Sequence, residues 1–169
     1  MNDLIPLYRE MAADGANFHG LSILQHSKQI GKLIKACSAQ TVLDFGAGRG
    51  DAYNSPHKIY RDWGLKRHQV TLYDPAFSKH DRLPTRDFDF VVCSDVLEHV
   101  PEADVDAFVR LLFTYAKHGV WSSVCCRAAK KTFPQTGENL HVTIRPLQWW
   151  SDTFEQHAAG MPFTLIETP

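Results

Sequence analysis

Thr41-Val42-Leu43-Asp44-Phe45-Gly46-Ala47-Gly48-Arg49-Gly50 is the stretch on which the fold turns. Its first half is a short, mostly apolar run of strand character, and glycines at every second position close it. Glycine lets the backbone turn sharply and come close to a ligand with no Cβ in the way, leaving the neighbouring amides for a polar group. Asp44, two residues before the first glycine, suits a ligand with an ammonium group and sits poorly beside a pyrophosphate. The spacing G-x-G-x-G also differs from the G-x-G-x-x-G of a dinucleotide fold, which disfavours an NAD-dependent oxidoreductase. Taken alone, the stretch reads equally well as a glycine turn with no ligand.

On both sides of it the pattern alternates. Ile30, Leu33, Ile34 and Cys37 share one helical face before the strand, with Ser22 as a candidate N-cap. After the glycines, residues 51–67 read as a loop with a short helix, and Gln69–Tyr73 as a second strand stopped by Asp74-Pro75. Residues 76–87 are polar and irregular. Phe88–Cys93 is a further strand. Val105, Phe108, Val109, Leu112 and Ala116 mark a helix that Gly119 would end. Val120–Cys126 is another strand. A helix from Pro146, with Leu147, Trp150 and Phe154 on one face and Gly160 as its stop, leads to a last strand over Phe163–Glu167. Strands alternating with helices predict an α/β fold, a Rossmann-like and mostly parallel sheet with helices on both faces. Ligands of such sheets sit at the carboxyl ends of the strands.

Bulk properties agree with one soluble domain over residues 1–169, with residues 1–20 as an N-terminal arm or a lid carrying Tyr8, Phe18 and His19. Apolar residues make up 44% and charged ones 22%, ordinary for a globular protein. A net charge of −1 argues against a broad grip on nucleic acid. The four cysteines have neither zinc nor disulfide spacing and read as reduced thiols. With no signal-peptide pattern and no membrane-length apolar run, the expected location is cytoplasmic, away from membranes.

Chemistry-bearing residues follow the strands. Asp74, at the end of the second strand, can accept the two hydroxyls of a ribose; its rival reading is a turn-forming Asp-Pro pair. The most specific segment is Asp89-Phe90-Val91-Val92-Cys93-Ser94-Asp95-Val96-Leu97-Glu98-His99-Val100. Together with Asp44–Gly50 and Asp74 it resembles the class I S-adenosylmethionine-dependent methyltransferase family over roughly residues 41–167, and its D-V-L-E-H-V pattern is similar to the subgroup acting on small molecules and some RNA ends. The resemblance implies S-adenosyl-L-methionine as methyl donor. The glycine loop would wrap its methionine part (Asp44, Gly46, Gly48), Asp74 would hold its ribose, and Ser94 and Asp95 would line the transfer pocket. The space between Asp74 and Phe88 is too short for a full helix and strand, so Lys79, His80 and Asp81 are candidates for the adenine contact. The chain ends near the family's sixth strand, which implies six strands or an edge completed by a partner.

Glu98, His99 and His141 form the sharpest local set and are the candidate catalytic residues, His99 or His141 as a general base. With Asp95 they also resemble the metal-binding set of small-RNA 3′-end methyltransferases and related sets in ubiquinone-pathway O-methyltransferases. A divalent cation is chemically sound there but ranks below the base reading. Arg127-Ala128-Ala129-Lys130-Lys131 either holds an anionic acceptor or is a solvated loop. Of Trp149 and Trp150, one is expected in the core. The expected function is therefore methyl transfer to an O or N atom of a small acceptor, anionic if the basic run faces it. The alternatives are a non-catalytic module binding S-adenosylmethionine or S-adenosylhomocysteine, and a metal-assisted enzyme acting on an RNA 3′ end.

Overall fold

The structure, a computed structural model, describes residues 4–13 and 15–169; Met1 to Asp3 and Asp14, which belong to the expected arm, lie outside the described residues. Helix α1 (Ile5–Ala13) comes first. A 3-10 turn (Ser22–His26) then leads into α2 (Ser27–Ala36) and β1 (Val42–Phe45). Three 3-10 turns within residues 51–69 precede β2 (Val70–Tyr73). Then follow β3 (Phe88–Ser94), a 3-10 turn (Leu97–His99), α3 (Glu102–Tyr115), β4 (Ala116–Val124), α4 (Leu147–Ala158) and β5 (Phe163–Glu167).

Among the described residues all strand pairings of the sheet are parallel, in the order β2-β1-β3-β4-β5. The chain runs outward from β1 to β2 and then crosses back to β3. The crevice between the carboxyl ends of β1 and β3 is therefore the switch point of the sheet, where ligands of such folds bind. Gly46 follows β1 there, and Asp95 follows β3.

The α/β reading holds, with five strands instead of six. Between β2 and β3 the chain forms turns, with Asp74 N–H donating to the His80 carbonyl (3.0 Å) and His80 N–H to that of Phe77 (2.8 Å). The helix expected to include Ala116 stops at Tyr115, and Ala116 opens β4 opposite Phe88. Gly119 is accordingly a strand glycine and not a helix stop. A Cβ there would lie 3.0 Å from the Phe90 ring and 3.2 Å from the Pro162 carbonyl oxygen, so it permits the close approach of β3 and the chain entering β5. β4 also ends at Val124, leaving Cys125 and Cys126 beyond it. Ser22 does not cap α2. Its hydroxyl meets that of Ser94 (3.2 Å), and α2 begins at Ser27, whose hydroxyl donates to Asp62 (2.8 Å).

Two apolar cores cover the sheet. On one face α3 and α4 bury Val105, Val109, Leu112, Trp150 and Phe154 against Leu43, Val91 and Val120. On the other, Ile30 and Ile34 of α2 pack with Trp63, Val42 and Trp121. Trp150 is fully buried and Trp149 partly so. A third, small cluster joins α1 to residues 129–140 through Tyr8, Met11, Phe133 and Leu140. Among the described residues all four cysteines are free, and no helix is long and apolar enough to cross a membrane.

Candidate active site

A cavity of about 330 Å³ opens at the switch point. Its floor is Phe45, Gly46, Gly48 and the turn Asp74–Phe77; one wall is Ser94, Asp95, Val96, His99 and Val100, with Phe108 of α3 beside them. The N-terminal segment supplies the cover, with Ile5, Tyr8, Phe18, His19, Gly20, Leu21 and Ser22 all lining the space.

The glycine loop is shaped by the protein around it. Gly46 (φ +94°) and Gly48 (φ +57°) both lie in the left-handed region that favours glycine. A Cβ on Gly46 would come within 2.3 Å of a Val96 methyl, and one on Gly48 within 2.3 Å of the Phe18 carbonyl oxygen. The loop amides expected to serve a ligand are already engaged. Gly46 and Ala47 both donate to the Tyr73 carbonyl (2.7 and 3.1 Å), Arg49 to that of Phe18 (2.9 Å) and Gly50 to that of Ala47 (3.0 Å). Gly48 donates to Asp74 Oδ2 (2.8 Å). This loop is no anion cradle, because the Tyr73, Phe18 and Ala47 carbonyls and the Asp74 carboxylate have taken its donors.

Asp74 thus braces the loop from below. Oδ1 accepts the Ala76 N–H (2.9 Å) and Oδ2 that of Gly48, and burial raises its pKa, opposed by those two hydrogen bonds. Each oxygen keeps a further lone pair for donors in the cavity that Asp74 lines. Asp95, a non-glycine residue at φ +54°, is held in that costly conformation by its neighbours. Its N–H donates to the Ser123 carbonyl (3.1 Å), and its Oδ1 accepts the Ser123 and Thr168 hydroxyls (2.9 and 3.0 Å). Ser94 belongs to the same hydroxyl chain, 3.2 Å from both Ser22 and Ser123.

Asp44 does not reach the wall. It is 3% exposed and accepts the Tyr53 hydroxyl (2.8 Å). Burial lifts its pKa to about 7, with the Tyr53 hydrogen bond opposing and the Asp74 charge adding to the rise. Its role in this geometry is to tether the turn at residues 51–53. Lys79, His80 and Asp81 do not line the cavity either; Pro75, Ala76 and Phe77 do.

Glu98, His99 and His141 do come together. One donor atom from each lies within 4.8 Å of the other two. Glu98 is 1% exposed. Its Oε1 accepts the Cys125 N–H (3.2 Å), while Oε2 is buried with no hydrogen-bond partner among the described residues. Burial raises its pKa to about 8. His99 Nδ1 faces the Leu140 carbonyl (3.0 Å) and His141 Nδ1 that of Arg127 (2.6 Å). A carbonyl only accepts, so both rings carry a proton on Nδ1, which leaves Nε2 as the nitrogen free to ligate or accept in a neutral ring. Burial and the neighbouring His141 lower the His99 pKa to about 4, so the ring is neutral at physiological pH. Of the three, only His99 lines the cavity.

A family model described as a methyltransferase domain matches residues 21–165. The chain belongs to the class I methyltransferase family. Members of that family take their methyl group from S-adenosylmethionine in general. Comparison with curated proteins and with solved structures returned no significant match. In this methyltransferase domain the basic run does not reach the cavity: Arg127, Lys130 and Lys131 are exposed, and among the described residues no lysine or arginine lines the space. Sequence reasoning missed Asn139, whose Oδ1 accepts the Ala129 and His141 amides (both 2.9 Å) and so sets the backbone that presents His141. Tyr8 stood out only as a candidate lid residue, and nothing in its own segment signals a tie to His99.

Proposed function

We propose that this methyltransferase transfers the methyl group of S-adenosylmethionine to an oxygen or nitrogen atom of a small, uncharged acceptor. The observation that carries the reading is the charge of the cavity. Among the described residues its lining holds two carboxylates, Asp74 and Asp95, among mostly apolar walls with no lysine or arginine. A donor bearing a sulfonium and an ammonium meets that sign, whereas a pyrophosphate is repelled. The same lining disfavours an anionic acceptor. Asp74 takes the ribose hydroxyls, Asp95 lies on the methionine side, and Ile5, Tyr8 and Phe18–Ser22 exclude water while donor and acceptor align. His99 presents a bare Nε2 to the acceptor proton. With its pKa lowered to about 4, it orients that proton better than it removes it.

One observation favours a second reading, a divalent cation at Glu98, His99 and His141. The donor set fits: a buried carboxylate oxygen without a partner and two imidazoles whose Nδ1 protons are fixed on carbonyls, the arrangement usual for histidine ligands. When bound, a cation would act as a Lewis acid on the acceptor oxygen.

Calorimetry tests both readings. S-adenosylmethionine is expected to bind and NAD not to. Asp74→Asn should weaken binding by roughly ten- to a hundredfold, the scale of a lost charged hydrogen bond. No heat with S-adenosylmethionine sinks the proposal, and binding without turnover on any acceptor leaves a cofactor-binding module. For the cation, manganese titrated into chelator-treated protein should bind the wild type and not Glu98→Gln.

A further inference from the structure

Tyr8 lies on α1, far from His99 in sequence, yet the two meet. Its hydroxyl donates to the Leu140 carbonyl at 3.0 Å, the same carbonyl that His99 Nδ1 faces at 3.0 Å. The Tyr8 oxygen is also 3.3 Å from His99 Nδ1 itself. Its ring is buried, nearly perpendicular to those of His99 and Phe18 and edge-on to Phe133. The helix is fixed from the cofactor side as well: Arg9 Nε donates to the Pro75 carbonyl (3.0 Å) and its guanidinium pairs with Asp81 (3.6 Å).

We propose that Tyr8 is a positioning residue that holds His99 in one ring orientation and one tautomer, with the Nε2 lone pair toward the acceptor. With its own proton on Leu140, the Tyr8 oxygen presents lone pairs to Nδ1. Nδ1–H then has two acceptors, the Leu140 carbonyl and Tyr8. Moving the proton to Nε2 would set the Nδ1 lone pair against the Leu140 carbonyl oxygen, and the Tyr8 hydroxyl could answer it only by giving up that carbonyl to donate to Nδ1. The hydroxyl also pins the Leu140 carbonyl, which sits in the 129–140 segment that α1 covers. The significance of this hold for the acceptor rests on the function proposed above; the hold itself does not.

The test is Tyr8→Phe, which keeps the packed ring and removes only the hydroxyl. Protein labelled with ¹⁵N-histidine is observed at a single pH through long-range proton–nitrogen correlations. In the wild type His99 is expected with a protonated Nδ1 and a bare Nε2. In Tyr8→Phe both nitrogen signals should shift toward each other as the tautomers mix. The signals of His157, which pairs with Asp106 elsewhere (2.8 Å), should stay in place. Phe18→Leu, which disturbs the same packing and spares the hydroxyl, should leave the His99 tautomer as in the wild type. A wild-type His99 protonated on Nε2 overturns the proposal, and so do unshifted His99 signals in Tyr8→Phe. Loss of S-adenosylmethionine binding in the wild type would refute the methyltransferase reading instead, and the spectrum would still decide the role of Tyr8.

Discussion

Two acids flank the glycine loop, and their surroundings give them different work. Asp74 keeps lone pairs toward the cavity, whereas Asp44 is sealed beneath it on Tyr53. Burial sets the sign of a pH effect for Asp44. The unfolded chain ionises this carboxyl near 3.8, and the folded chain holds its proton to about 7. Across that window the folded state binds more protons, so the contribution is fully present below about 4 and is lost as pH rises through 7. Asp44→Asn keeps an acceptor for Tyr53 and removes the titration. Urea denaturation should therefore show the variant gaining on the wild type by roughly 1–4 kcal/mol between pH 4.5 and 7.5. Parallel stability curves would show that Asp44 is ionised throughout. Sequence spacing made Asp44 visible as an acid beside the loop. It could not show that Tyr53, nine residues on, would take its carboxylate, because that contact depends on how residues 51–53 fold back over the strand end.

At the scale of elements, β1, β2, β3 and β5 were legible to within a residue or so, because short apolar runs bounded by Gly, Pro or Asp have few other readings. The α3–β4 junction was not. Ala116 continues the apolar spacing of α3, and Gly119 has the look of a helix stop, yet pairing of Ala116 with Phe88 outweighs both. The glycine loop was legible as a loop but not in what fills it, since its partner, Phe18–Gly20, arrives from another part of the chain. That contact makes a prediction. Gly48 and Gly137 both have positive φ, but a Cβ on Gly137 meets nothing within 4 Å, while one on Gly48 strikes the Phe18 carbonyl. Gly137→Ala should cost only the left-handed backbone penalty, about 1–2 kcal/mol. Gly48→Ala should cost clearly more in urea denaturation and weaken S-adenosylmethionine binding, because the Phe18–Gly20 segment must shift. Equal costs would mean that this segment does not press on the loop.

For the whole molecule, the family match begins at residue 21, and the two cores covering the sheet contain no buried residue before Ile23. Among the described residues, those before Leu21 therefore stand outside both the shared domain and its main packing; they meet the rest through the small cluster around Tyr8, Met11, Phe133 and Leu140, through Arg9 on Pro75 and Asp81, and through the Phe18 and His19 carbonyls, which accept the Arg49 and Asp51 amides. Even so, Ile5, Tyr8, Phe18, His19 and Gly20 line the cavity. The sequence posed the choice between arm and lid without deciding it, since a short amphipathic segment reads the same in either role until its partners are known. The geometry separates stability from function here. A chain beginning at Leu21 should retain the far-ultraviolet circular dichroism of the sheet and its helices. It should melt at a lower temperature, because Phe133 and Leu140 lose their cover. Its affinity for S-adenosylmethionine should fall by at least tenfold, because the cavity then stands open to water on one side and the charge of Asp74 and Asp95 is screened. Should the shortened chain not fold, Phe18→Ala in the full chain removes one wall of the same cover and should weaken binding in the same direction. Wild-type affinity in a folded chain lacking residues 1–20 would show that the segment is a packed arm and that the site is complete without it.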